Sequence, residues 1–346
     1  MALFRSRSTP FGPAPVAGRE LLLADLDGVV YKGDGAIPGA VESLNRAAEQ
    51  TRLGYLTNNA ARTDATVAEH LSSLGLTATA RDVVTSPQAA VALLADIVAP
   101  GATVFVVGGE GLTVEVERAG YVVTRNADDR PAAVVQGFAP HVGWEHLAEA
   151  AFALAERPGE PEVPWVATNT DWTIPVARGL APGNGTLVSA VHTAVARLPV
   201  FAGKPEVPIY ETAFERFGTR NALMIGDRLD TDIQGAVAAG IPSLHVLTGV
   251  DRPKQLIAAA KNMRPDFIVA SLDELHEPYP QTVVLKDGTH QVGRAKVRMD
   301  GHVATVVDEG DDHLNLVRAG CAAVWASGLA IYGLVVPEVL YRDDWS

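Results

Sequence analysis

The chain of 346 residues holds one cysteine and four methionines, and its aromatic content is only 6%. A lone thiol, Cys321, cannot close an internal disulfide and excludes a cysteine-rich metal site; it suits a reducing compartment, so a cytoplasmic protein with Cys321 as a small buried apolar residue is expected. Basic charge is scarce as well. Against 41 Asp and Glu there are 28 Lys and Arg, a net charge of -13, and no Lys/Arg cluster offers nucleic acid or an anionic membrane a place to bind. Uninterrupted apolar length is also missing. Ala319 to Val336 carries no charge and approaches the length of a bilayer crossing, but Gly320, Gly328 and Gly333 break it. It reads as a helix to about Ser327 and a strand from Leu329 to Val336, and no membrane span is expected. At the N-terminus, Pro10, Pro13 and Pro15 follow Arg5 and Arg7 and deny a secretory signal its apolar stretch. Residues 1–19 read as a flexible lead-in.

What is present starts with Leu21-Leu22-Leu23-Ala24-Asp25-Leu26-Asp27-Gly28. An apolar strand ends in two carboxylates two residues apart, then a glycine. Carboxylates this close repel unless a cation lies between them, and Mg2+ prefers such hard oxygen ligands. A helix at Ala40–Thr51 and a strand at Arg52–Leu56 complete a strand-helix-strand unit with a right-handed crossover. That strand ends in Thr57-Asn58-Asn59, whose hydroxyl and amides suit a phosphoryl oxygen; taken alone they equally suit a turn or a helix cap.

Strands at Thr103–Val107, Tyr121–Val123 and Ala132–Val135, with helices at Gly111–Arg118 and Trp144–Glu156, mark a second α/β layer. Trp165–Ala167 then runs into a loop, Thr168 to Pro175. After Gly203-Lys204-Pro205 and a helix over 208–217, a second apolar strand, Ala222–Ile225, empties into Gly226-Asp227-Arg228-Leu229-Asp230-Thr231-Asp232. A helix at 231–239 and strands at Ser243–Leu247 and Asp266–Ala270 follow. Several strands therefore end in polar residues at one edge of a parallel sheet, where open α/β folds place their ligands.

These four stretches, in this order, resemble the motifs of the haloacid dehalogenase superfamily of phosphatases, and the long insertion between the second and third resembles the large α/β (type IIA) cap of one subgroup. The resemblance covers roughly residues 20–275. It implies an α/β fold with a Rossmann-like parallel-sheet core over 20–84 and 200–275, and a substrate-selecting cap over 85–199. It further implies Mg2+-dependent hydrolysis of a small phosphomonoester through an aspartyl-phosphate on Asp25, with Asp27 as acid and then base. Asp25, the Asp27 main-chain carbonyl and Asp227 would hold the metal; Asp232 would support that shell or orient Lys204. Thr57 and the amides of Asn58 would bind phosphoryl oxygens, and Lys204 would neutralise charge in the transition state. From the cap loop, Asp171, Trp172 and Thr173 are candidates for substrate contact, with Trp172 equally able to pack beneath the cap.

The C-terminal stretch, about 280–346, departs from that pattern and reads as β-β-α-β, faintly similar to half of an acetyltransferase fold but without an acyl-CoA pyrophosphate loop. It is expected to pack on the core or to form a homodimer interface. A capped core with such a tail resembles the bacterial members acting on glycerol 3-phosphate; 2-phosphoglycolate or a broad set of esters of the 4-nitrophenyl phosphate type is the alternative, and a non-catalytic binder of phosphorylated metabolites the remote one.

Overall fold

The computed structural model describes residues 10–176 and 178–342. The chain divides into two compact units, Met1–Leu53 with Asn221–Ser346, and Gly54–Arg220.

In the first unit the strands Phe267–Val269, Ser243–Val246, Ala222–Gly226 and Leu21–Ala24 lie side by side in that order, all parallel. The last three are buried along their whole length, as expected of parallel strands covered on both faces; Leu21–Ala24 and Ala222–Gly226 therefore read as unbroken apolar runs, whereas Ser243–Val246 buries Ser243 and His245 as well. Ala24 pairs with Ile225. Asp25 and Asp227 therefore leave the same edge of the sheet, one residue and two residues beyond that pair.

Of the expected flexible lead-in, residues 1–9 lie outside the described residues. From Pro10 the chain is tied down: Gly12 N–H donates to Tyr279 O at 2.8 Å, Gln281 N–H to Pro10 O at 3.0 Å, and Phe11 bridges to Pro280. The prolines that deny a signal sequence favour an extended strap, and Tyr279–Gln281 supply its partners.

The C-terminal part also departs from expectation. Four antiparallel strands form a meander, Val283–Val284, His290–Val292, Ala295–Asp300 and Val303–Asp308, followed by the helix His313–Ser327. The strand expected at Leu329–Val336 does not form. Gly328, at φ +66°, turns the chain out of the helix; a 3-10 turn at Ile331–Gly333 interrupts the extended run, and only Val335 bridges to Val303. The order is β-β-β-β-α. This module shares one apolar core with the parallel sheet: Leu229, Ile233, Leu247, Leu256 and Ile268 pack with Val297, Leu314, Val317 and Val324. Arg318 pins it further, its guanidinium donating to Ile268 O at 2.6 and 2.9 Å and to Glu274 at 2.8 Å while lying 4.7 Å from the Tyr279 ring centre. Cys321 is buried in the same helix, and burial pushes its thiol pKa up.

In the second unit, Tyr55, Leu56 and Thr57 of the strand Arg52–Thr57 pair in parallel with Val83–Thr85. A five-stranded parallel sheet follows, in the order Val200–Phe201, Trp165–Ala167, Ala133–Gln136, Thr103–Val107 and Val122–Thr124. Helices Trp144–Leu154 and Asn184–Val195 cover one face through Ala150, Ala153, Val188 and Val191. The loop expected up to Pro175 is in part a hairpin: Thr173–Val176 pairs antiparallel with Gly179–Pro182. Its short strands, with Pro175 in one and Pro182 in the other, gave no alternating pattern to read. No helix among the described residues is long and apolar enough to cross a membrane.

Candidate active site

Asp25, Asp227 and Asp232 converge, each offering a carboxylate oxygen within 4.8 Å of the other two. Asp25 is held at the end of its strand by its N–H, 2.9 Å from Ile225 O. Asp227 and Asp232 are buried. Asp232 sits in a π-helical turn, Leu229–Ile233, that precedes the helix Gln234–Ala239, and its Oδ2 accepts the Arg228 N–H at 3.1 Å. The widened turn replaces the uninterrupted helix expected from Thr231. All three donors are hard oxygens, and a divalent cation relieves the repulsion of three clustered acids, so the set fits Mg2+. The Asp27 side chain is exposed.

Glycine is required next to these acids. Gly28 has φ +83°, and a Cβ there would collide with the Asp227 carboxylate and lie 3.0 Å from Gly249 Cα. A Cβ on Gly249 would meet the same carboxylate.

The segment after the strand Ser243–Val246 grips the site, and reading the sequence missed it. Val250 N–H donates to Asp227 Oδ2 at 2.6 Å, and Thr248 Oγ1 donates to Gly28 O at 2.6 Å. Asp251 N–H reaches Asp227 O at 3.1 Å, and its carboxylate accepts the Leu229 N–H at 2.7 Å. Burial pushes the Asp251 carboxyl pKa up. The available signal was Thr248-Gly249 directly behind an apolar strand, the arrangement already noticed at Asp27-Gly28.

The second unit gathers the other expected residues. Thr57 is buried, its Oγ1 accepting the Asn59 N–H at 3.1 Å. Asn58 Nδ2 donates to Asp171 Oδ1 at 3.0 Å and to Lys204 O at 2.9 Å, and Asn58 Oδ1 accepts the Lys204 N–H at 2.8 Å. Its main-chain oxygen accepts from Ser86 and Asn169. Lys204 is buried, with Nζ 3.2 Å from Leu56 O. Asp171 lies in the same network, whereas Thr173 is exposed and Trp172 presents 65% of its surface to solvent.

Residues 22–122 match the family model described as haloacid dehalogenase-like hydrolase, and residues 201–275 match a second model of the same kind. The chain belongs to the haloacid dehalogenase-like hydrolases. Among its relatives, the D-glycerol 3-phosphate phosphatase of Mycobacterium tuberculosis is 44% identical over 319 residues, 90% of this chain and 87% of that protein. An acid sugar phosphatase of Staphylococcus saprophyticus is 35% identical over 73% of this chain and 95% of its own length. Among solved structures, the M. tuberculosis glycerol phosphate phosphatase in complex with magnesium aligns with a TM-score of 0.83 at 42% identity, covering 94% of this chain and 95% of that one. The p-nitrophenyl phosphatase of Archaeoglobus fulgidus aligns with a TM-score of 0.68 at 28% identity, over 75% and 98%.

Proposed function

We propose that this chain is a Mg2+-dependent phosphomonoester hydrolase acting on glycerol 3-phosphate. The observation that carries the reading is the 44% identity along 90% of the chain with a relative that bears that activity in its name. The identity extends beyond the 73% over which the acid sugar phosphatase aligns.

In this reading Asp25 is the nucleophile. Its carboxylate attacks phosphorus, the ester P–O bond breaks, and Asp27 gives its proton to the leaving alkoxide. Asp27 then takes a proton from water as that water attacks the aspartyl-phosphate, releasing phosphate and restoring Asp25. The exposed position of the Asp27 side chain suits a group that exchanges protons with substrate and water. Asp25, Asp227 and the Asp27 main-chain oxygen would hold Mg2+, with Asp232 supporting them; the bound cation supplies positive charge against the phosphoryl oxygens. Lys204 carries a second positive charge to the phosphoryl group, and Thr57 and the Asn58 main chain bind its oxygens. These roles rest on the order of the motifs. The core is 20–84 with 200–275, and the cap, 85–199, selects the substrate through Asp171 and its neighbours Trp172 and Thr173.

The acid sugar and p-nitrophenyl phosphatases among the relatives favour a second reading, a broad activity on small phosphomonoesters. A homodimer built on the C-terminal module is part of the proposal; the exposed Tyr332 and Val335 support it. The lone buried Cys321 supports a cytoplasmic location. Phosphate release from glycerol 3-phosphate, 2-phosphoglycolate and 4-nitrophenyl phosphate, with and without Mg2+, tests the assignment. Mg2+-dependent preference for glycerol 3-phosphate supports it, a flat profile supports the broad reading, and no release from any ester contradicts both.

A further inference from the structure

We propose that Asp251 is a positioning residue for the acidic trio: it sets the spacing of Asp227 and Asp232 and thereby the affinity for the divalent cation, with His245 bracing it from behind. The inference rests on the reading of Asp25, Asp227 and Asp232 as a Mg2+ site.

Three separate groups of Asp251 are engaged, each with a different part of the site. Its N–H donates to the main-chain oxygen of Asp227 at 3.1 Å. Its carboxylate accepts the Leu229 N–H at 2.7 Å, at the opening of the π-helical turn Leu229–Ile233 that carries Asp232. Its own main-chain oxygen lies 2.9 Å from Nε2 of His245. A carbonyl can only accept, so Nε2 carries the proton and donates. His245 is wholly buried in the strand beside the one that delivers Asp227, its neighbour in register being Gly226. Asp251 thus spans both acids and is anchored to the sheet from which Asp227 emerges. Remove its carboxylate and the turn bearing Asp232 loses the bond that fixes where it starts, while Val250 still holds the Asp227 carboxylate. Groups that orient metal-binding acids typically change metal affinity by 10–100-fold when altered.

The test is the melting temperature of the full chain after chelator treatment, recorded across a MgCl2 series, alongside KM for the phosphate ester at saturating Mg2+. The wild type should show a saturable rise. Asp251→Ala should move the Mg2+ midpoint up by about tenfold or more, with KM nearly unchanged. Asp251→Asn keeps an oxygen for the Leu229 N–H and should stay within about threefold of wild type. His245→Leu, which leaves every acid in place, should raise the midpoint by about threefold. An Asp251→Ala midpoint equal to that of the wild type overturns the proposal, as does an Asn variant shifted as far as Ala. Should Asp251→Ala fail to fold, His245→Leu decides: a raised midpoint supports the proposal and an unchanged one overturns it. A wild type that does not respond to Mg2+ removes the metal-site reading itself, and the inference falls with it.

Discussion

Asn58 and Asp171 are joined side chain to side chain, Nδ2 to Oδ1 at 3.0 Å, across 113 residues of sequence. The same amide group brackets the main chain of Lys204 at 2.8 and 2.9 Å. The Asn58 side chain is therefore a cross-brace between the segment expected to select substrate and the lysine expected to neutralise phosphate. With the side chain so engaged, the proposed contact of Asn58 with phosphoryl oxygens would fall to its main chain.

Breaking that brace should cost stability and substrate handling together. Asn58→Ala is expected to destabilise the protein by about 2–3 kcal/mol, because it removes a charge-assisted bond and two bonds to Lys204. A double-mutant cycle with Asp171→Ala, read by urea unfolding, should return a coupling of about 1–3 kcal/mol. Strictly additive losses would mean that the two residues act separately.

Stability should fall on mild acidification through His245. Burial lowers its pKa from 6.5 to about 4, so the folded state keeps the ring neutral where the unfolded chain takes up a proton. A folded pKa below the unfolded one gives stability that is complete above pH 6.5 and drains away as pH falls toward 4. The loss is on the order of 3 kcal/mol. Urea unfolding of the wild type between pH 7.5 and pH 4.5, compared with His245→Gln, checks it: the variant should have the shallower slope, and equal slopes would remove His245 as the cause.

Arg318→Met should unseat the C-terminal module. The change strips two donors from Ile268 O and the ionic partner from Glu274, at a cost of about 3–5 kcal/mol. Deletion beyond Pro280 should give an insoluble protein, since Leu229, Leu247, Leu256 and Ile268 would lose the helix that covers them. A soluble, cooperatively melting truncation would show that the module is dispensable for folding.

Much of this was legible in the sequence where one local pattern decides the outcome. The buried parallel strands announce themselves as apolar runs, and each carboxylate motif sits directly at the end of one. What stayed hidden depends on partners distant in sequence. The prolines around Pro10–Gly12 favour an extended chain, but nothing local shows that it is tied down, because its bonds go to Tyr279 and Gln281. The strand expected at Leu329–Val336 had the right composition but met a left-handed turn at Gly328 and a 3-10 turn. Asp251 reads as an ordinary surface acid before Arg252-Pro253; only the fold brings it against Asp227 and Leu229.

The most direct measurement is phosphate release from glycerol 3-phosphate by the wild type and by Asp25→Asn, each with saturating Mg2+ and each with excess chelator. Turnover is expected in the wild type with Mg2+ alone, and none in Asp25→Asn although that variant should melt at nearly the wild-type temperature. Turnover by folded Asp25→Asn at a rate near that of the wild type would contradict Asp25 as the nucleophile and, with it, the aspartyl-phosphate route.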